Sequence, residues 1–345
     1  MTEPTVLLSN GKDQNCQPIT IRGTPFYITE NTGIADSIQA VEKAGLVRVP
    51  AYWIAEGRAV APATDPVWTQ WHDSYGERDT IVDQKGILGT KNQVYVVDFQ
   101  NGGMFMGNHQ RIRMTVANRQ LQNHAMPLDQ EKDVNSFLDA VAHNDTAALQ
   151  QKGLVRKGPV YVFKSFEEFD EASSGDSFLH DFPAYVVLRT AERARNNLSG
   201  YQPIDAQRGN EDLIVPLGGR KQVGKMLDQA ASFTWTQFGS HHDGYTNNNC
   251  GRVVVVSNLN VGVGSNYVVY GIGRSLGVAP EALVTRATIG ESVPLEVVVK
   301  QEVAAQEVRM VPEDHVRKLL TEEVGLRDDR VGSLLETLAG YEPKQ

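Results

Sequence analysis

The sequence predicts an α+β protein: mostly antiparallel sheet with flanking helices and a helical hairpin near its C-terminal end. Three observations carry that expectation. Strand-like runs outnumber helical ones and do not alternate strictly with them, as a parallel βαβ fold would require. Asn/Gly-rich loops separate several of the strand runs, which is hairpin chemistry. The end of the chain carries two apolar stripes at helical spacing.

Taken in order, Pro18 to Ile21 and Phe26 to Thr29 read as short strands around the turn residues Arg22-Gly23-Thr24-Pro25. Ile34, Ile38 and Val41 recur at helical spacing up to about Ala44. Gly45 stands where a left-handed cap is expected. Leu46 to Val49 looks extended and would pair with Tyr52 to Ala55 or with Ala59-Val60. Residues 62–80 look irregular, with Trp68, Trp71 and Tyr75 either packed on the core or offered as a stacking platform; packing is the favoured reading.

Gln93 to Phe99 is β-branched and aromatic, hence a strand. Asn101-Gly102-Gly103 predicts a hairpin returning through Met104-Phe105-Met106, and Arg111 to Val116 alternates like a further strand. Residues 129–151 carry a helical face of Val134, Phe137, Leu138 and Val141. A second short helix follows, capped by Asp145-Thr146 and ending before Gly153.

Val160 to Phe163 and Ala184 to Leu188 read as strands, with Ser165 and Glu168 spaced as a capping box between them. Residues 190–212 look like a long polar loop. Gly218-Gly219 opens a helix whose inner face is Val223, Met226, Leu227 and Ala230. Phe233, Trp235 and Phe238 alternate, and Arg252 to Val256 has the composition of a fully buried strand. A loop from Asn258 to Asn266 then leads to a returning strand, Tyr267 to Tyr270. Leu283 to Ile289 and Pro294 to Val299 read as further strands. Val316, Leu319, Leu320 and Val324 line one C-terminal helix; Val331, Leu334, Leu335 and Leu338 line the next.

The turn-prone run Lys152 to Pro159 is the natural boundary. It suggests an N-terminal α+β domain over 1–155, a β-rich domain over 156–300 and the helical hairpin over 301–345. The chain has 345 residues, 41% of them apolar and 22% charged, within the globular range. Its net charge of -9 disfavours a nucleic-acid partner. The N-terminus lacks a basic leader, no apolar run reaches membrane-spanning length, and Cys16 and Cys250 form no metal-binding or redox pair. A soluble cytoplasmic protein is the expectation, with no membrane partner.

Four groups of residues invite chemistry. His241, His242 and Asp243 could act as acid and base, or hold a divalent metal as cofactor. Adjacent histidines alternate faces on a strand but can converge from a loop. No further ligand stands at zinc-site spacing, and a polar turn is the simpler reading. The pairs His72-Asp73, His180-Asp181 and His242-Asp243 could pool into one site, with chance the simpler account. Arg189, Arg193 and Arg195, with Arg208, could face a phosphate or carboxylate, and could equally be a solvated helix face. Gly218-Gly219-Arg220 precedes a helix and could hold an anion, yet it lacks P-loop spacing, and a plain turn is favoured.

Two functions follow. One is a non-catalytic structural or interaction subunit that self-assembles, or docks on a protein partner through its C-terminal helices. The other is a metal-dependent hydrolase or transferase centred on residues 241–243.

Overall fold

A computed structural model describes residues 20–21, 24–29, 33–122, 124–175, 177–197, 200–242, 248–257, 263–266 and 275–278. All belong to the first of two compact units, Met1–Thr288 and Ile289–Gln345. The class is α+β, as the sequence predicts. The expected C-terminal helical hairpin, and the strands expected at 267–270 and beyond 283, lie outside the described residues.

The body is organised around a mixed, mostly antiparallel sheet. Its strands run in the order Gly200–Pro203, Gln237–His242, Val263–Asn266, Cys250–Val256, His72–Asp83, Gln93–Gln100, Ala184–Thr190, Val160–Phe163. Met126–Pro127 also pairs with Cys250–Val256. Two pairs are parallel: Gln237–His242 with Val263–Asn266, and Val160–Phe163 with Ala184–Thr190. The sheet therefore draws strands from both sides of the Lys152–Pro159 run. A smaller sheet pairs Leu276–Val278 with Tyr27–Ile28 and with Val47–Arg48.

Both faces of the large sheet are buried. On one face Tyr185, Val187, Val254 and Val256 pack beneath the helices Ala51–Arg58 and Arg220–Ser232. On the other, Ile81, Val97, Phe99, Val186 and Val253 meet Phe137, Leu138 and Val141 of the helix Ser136–Ala142. Trp68 is fully buried, edge-on to Phe233 and Trp235 at 5.8 and 5.1 Å, so its ring packs rather than faces solvent.

Several local expectations are met. The first helix spans Ile34–Lys43 and ends at Gly45, whose φ of 69° makes the left-handed turn. Asp145 caps the helix Thr146–Gln151 by accepting from the Ala148 amide at 2.8 Å. Ser165 caps Phe166–Ser173 through the Glu168 amide.

Others are corrected. Tyr52 to Ala55 is helical, within Ala51–Arg58, and Val47–Arg48 pairs with Leu276–Val278 instead. Buried on nearly all sides, that helix shows no amphipathic period. Arg111 to Val116 lies in the helix His109–Ala117, started by Asn108, whose side chain accepts from the Arg111 amide. Met104-Phe105-Met106 makes no return strand, because its amides bind a side chain described below. The polar run 190–212 holds the helices Ala191–Arg195, Ile204–Gln207 and Glu211–Ile214 and the edge strand Gly200–Pro203. The expected loop at 258–266 ends in the strand Val263–Asn266. The region 62–80, read as irregular, supplies the central strand His72–Asp83.

That strand is charged yet buried. Glu77, Arg78, Asp79 and Asp83 are each 3% exposed or less. Side chains alternate across a strand, so Glu77 and Asp79 share one face while Arg78 takes the other. On the Arg78 face, Asp98 from the neighbouring strand accepts from Arg78 Nε at 2.6 Å and from Arg189 Nη2 at 2.7 Å. Arg189 Nη1 then donates to Asp212 at 2.9 Å. A buried pair tolerates the loss of one member poorly, because the other charge is left uncompensated in low dielectric. Replacing Asp98→Asn is expected to cost about 3–5 kcal/mol by that mechanism. In urea unfolding the midpoint should fall with an unchanged slope; a midpoint near that of the parent protein would contradict the account.

Among the described residues no helix is long and apolar enough to cross a membrane.

Candidate functional site

The arginines predicted to bind an anion sit where the strand Ala184–Thr190 runs into the helix Ala191–Arg195. The strand end directs Arg189 into the core, where its side chain is fully buried against Asp98 and Asp212. Asp212 and Glu211 open the helix Glu211–Ile214, capped by Asn210, whose side chain accepts from the Asp212 amide at 3.0 Å. One turn beyond Arg189, Arg193 grips Glu211 through Nε and Nη2 at 3.0 and 2.6 Å and also reaches Glu167. Its hydrogen bonds to Glu211, and then to Glu167, raise its pKa further above the ordinary arginine range. Arg195 is exposed at the end of the helix. Arg208 pairs with Asp228 and Asp205.

Arg220 belongs to a separate contact. Its Nε donates to both oxygens of Asp170 at 2.8 Å. Its guanidinium lies 5.5 Å from the centre of the Phe166 ring, and Arg193 lies 5.2 Å from the same ring. Two cations thus flank one aromatic ring, each carrying its own carboxylate.

Phe166 and Arg193 border an open cleft of about 390 Å³, lined also by Tyr95, Lys164, Glu167 and Thr190. Burial, helped by Asp83, raises the pKa of the Tyr95 phenol, so it stays a neutral hydrogen-bonding group. The cleft therefore offers an exposed Lys164, a phenol and a hydroxyl, while Arg193 stands at its edge with its charge already matched.

Gly218 and Gly219 do precede a helix, Arg220–Ser232, with φ of 88° and 106°. A Cβ on Gly218 would lie 2.6 Å from Leu179 and 2.9 Å from the Tyr52 side chain. One on Gly219 would lie 2.7 Å from the Ser173 hydroxyl. The turn is filled by the protein itself. The glycines are set by left-handed backbone and close packing.

His241 and His242 end the strand Gln237–His242, in register with Gly264 and Ser265. Asp243 lies outside the described residues. The other His-Asp pairs lie elsewhere: His72 is buried at the start of the central strand, its Nε2 3.2 Å from the Pro66 carbonyl, and His180 meets Asp181 on the surface. Among the described residues no three His, Cys, Asp or Glu side chains gather to hold a metal ion.

Sequence reasoning singled out the arginines and missed their partners. Asp98 interrupts the apolar run Val96-Val97-Asp98-Phe99, and a carboxylate inside a buried strand signals a cation nearby. Gly218→Ala tests the geometric role of the glycine turn. Left-handed strain alone should cost about 1–3 kcal/mol, visible as a lower melting temperature; undiminished stability would return the turn to consideration as an anion cradle.

No protein-family model matches the chain, and no curated protein matches it. A solved structure does, described as the accommodation of massive sequence variation in Nanoarchaeota by the C-type lectin fold. It aligns with a TM-score of 0.51 and 15% identity, over 75% of this chain and 99% of that one. At that identity the likeness is one of fold: this chain is built on a scaffold similar to the C-type lectin fold.

Proposed function

We propose that the protein is a non-catalytic interaction module, a rigid body that presents its surface to a protein partner or to a second copy of itself. The observation that carries this reading is the internal matching of its candidate ligand-binding cations. Arg189 is held by Asp98 and Asp212, Arg193 by Glu211 and Glu167, and Arg220 by Asp170. Arg189 is committed to the buried fold, and Arg193 and Arg220, at the surface, already have carboxylate partners that a substrate would have to displace.

The fold comparison supports the same reading. The solved relative is described as a fold that accommodates massive sequence variation. A body stabilised by interior ion pairs and two apolar layers leaves its exterior open to change, because surface substitutions cost little. The C-terminal apolar stripes read in the sequence, at Val316, Leu319, Leu320 and Val324 and at Val331, Leu334, Leu335 and Leu338, are the segment we assign to docking.

Light scattering on the full chain tests this. Self-association should appear as a mass above that of one chain, and Leu319→Asp with Leu334→Asp should return it to a single chain. A concentrated protein that stays monomeric would sink self-assembly and leave only a heterologous partner. A zinc or manganese complement that copurifies with the chain and is lost in His242→Ala would instead favour the metal-dependent enzyme.

A further inference from the structure

The second face of the central strand carries a different ionic device. The Glu77 carboxylate accepts three consecutive backbone amides, from Met104 at 2.6 Å, Phe105 at 2.9 Å and Met106. The carbonyls of the same segment are held from outside: Arg111 Nη1 donates to Met104 at 3.2 Å and Arg48 Nη2 to Met106 at 2.6 Å. One short stretch of backbone is thus gripped by its N–H groups on one side and by its carbonyls on the other.

Asp79 stands two residues from Glu77 on the same face of the strand and is fully buried. Among the described residues no donor reaches either of its oxygens, and the neighbouring Glu77 carboxylate, after burial, raises its pKa. The walls are shaped to admit both acids. A Cβ on Gly251, opposite Asp79 in the ladder, would fall 2.2 Å from Asp79 Oδ1. One on Gly103 would fall 1.9 Å from the Glu77 carboxyl carbon. The charged and titratable groups facing the pair are Arg111, Asp133, Cys250 and Arg48. Arg111 is itself bound to Asp133 at 2.6 Å. Arg48 points at the Met106 carbonyl and the Tyr75 ring, 3.9 Å from its centre.

Two adjacent carboxylates in this pocket cannot both ionise without strong repulsion. We propose that Glu77 and Asp79 share a single proton, and that its departure loosens the grip on Met104–Met106, so the fold is tighter in mild acid than above neutrality. Protonated Asp79 donates to the Glu77 carboxylate, which keeps its three amides. When the proton leaves to solvent, two negative charges remain side by side. Burial raises Glu77 to about 7 against the pull of the three amides, and burial, then Glu77 and Cys250, raise Asp79 well above the usual carboxylate range, so this pocket holds protons that the unfolded chain releases. The titration belongs to the pair.

The sign follows from linkage. A carboxyl pair that retains a proton in the folded state and loses it in the unfolded chain stabilises the fold fully below the unfolded pKa. That contribution is lost as pH rises through the folded value. Between about pH 5 and 7 the folding constant of the parent protein should fall by up to about tenfold per pH unit. Asp79→Asn, which donates to Glu77 at every pH, should flatten that dependence and overtake the parent above neutrality. Hydrogen exchange at Met104, Phe105 and Met106, corrected for intrinsic rates, should accelerate with pH in the parent and not in the variant.

A parent folding constant that is flat or rising across this window overturns the proposal, as does a variant that falls as steeply. Should Asp79→Asn fail to fold, carboxyl-carbon NMR of the parent decides. One titration far above the ordinary carboxylate range upholds the shared proton, and two ordinary titrations refute it.

Discussion

The carboxylate of Asp98 sits between two guanidiniums, those of Arg78 and Arg189, with none of the three side chains more than 3% exposed. Around this contact the sheet is assembled, because its three members come from three adjacent strands: His72–Asp83, Gln93–Gln100 and Ala184–Thr190. The second oxygen of Asp98, through Arg189, carries the link onward to Asp212 and so to the helix Glu211–Ile214. Burying these charges without mutual satisfaction would cost several kcal/mol per ion. Their pairing makes strand order and helix docking one cooperative choice.

The opposite face solves the same problem with different chemistry. There the buried charge is negative, and it is met by backbone amides rather than by arginine. Carboxylates that accept several amides are well stabilised, and the segment they hold connects the strand Gln93–Gln100 to the helix His109–Ala117. A stretch with no regular secondary structure is thereby held through both its N–H and its C=O groups. The two apolar layers surround these polar centres and keep water from them.

Much of the fold is legible in the sequence wherever burial is one-sided or wholly apolar. The helix Arg220–Ser232 shows its face through Val223, Met226, Leu227 and Ala230, all buried. The strand Cys250–Val256 shows itself through consecutive valines. The signal fails where the interior is polar. The region 62–80 reads as irregular, and the strand His72–Asp83 goes unseen, because Glu77, Arg78 and Asp79 are ordinarily solvent-facing types. It fails again where polarity mimics the wrong period, as in the helix His109–Ala117, whose Arg111, Arg113 and Thr115 alternate with apolar neighbours. Of the candidate site, the arginines were visible as a cluster. Their matched carboxylates were not, since Asp98 and Asp212 lie far from them in the chain and only the fold brings them together.

The order Glu77-Arg78-Asp79 has one more consequence, for the way the chain finds its native pairing. Sliding His72–Asp83 by a single residue along its neighbours exchanges the two faces. Arg78 would then meet a ring of amide hydrogens, and two acids would meet the carboxylate of Asp98. An apolar strand slipped in this way still buries grease against grease and can linger as a kinetic trap. This one would confront like with like on both sides at once, so the slipped register is disfavoured by charge as well as by packing.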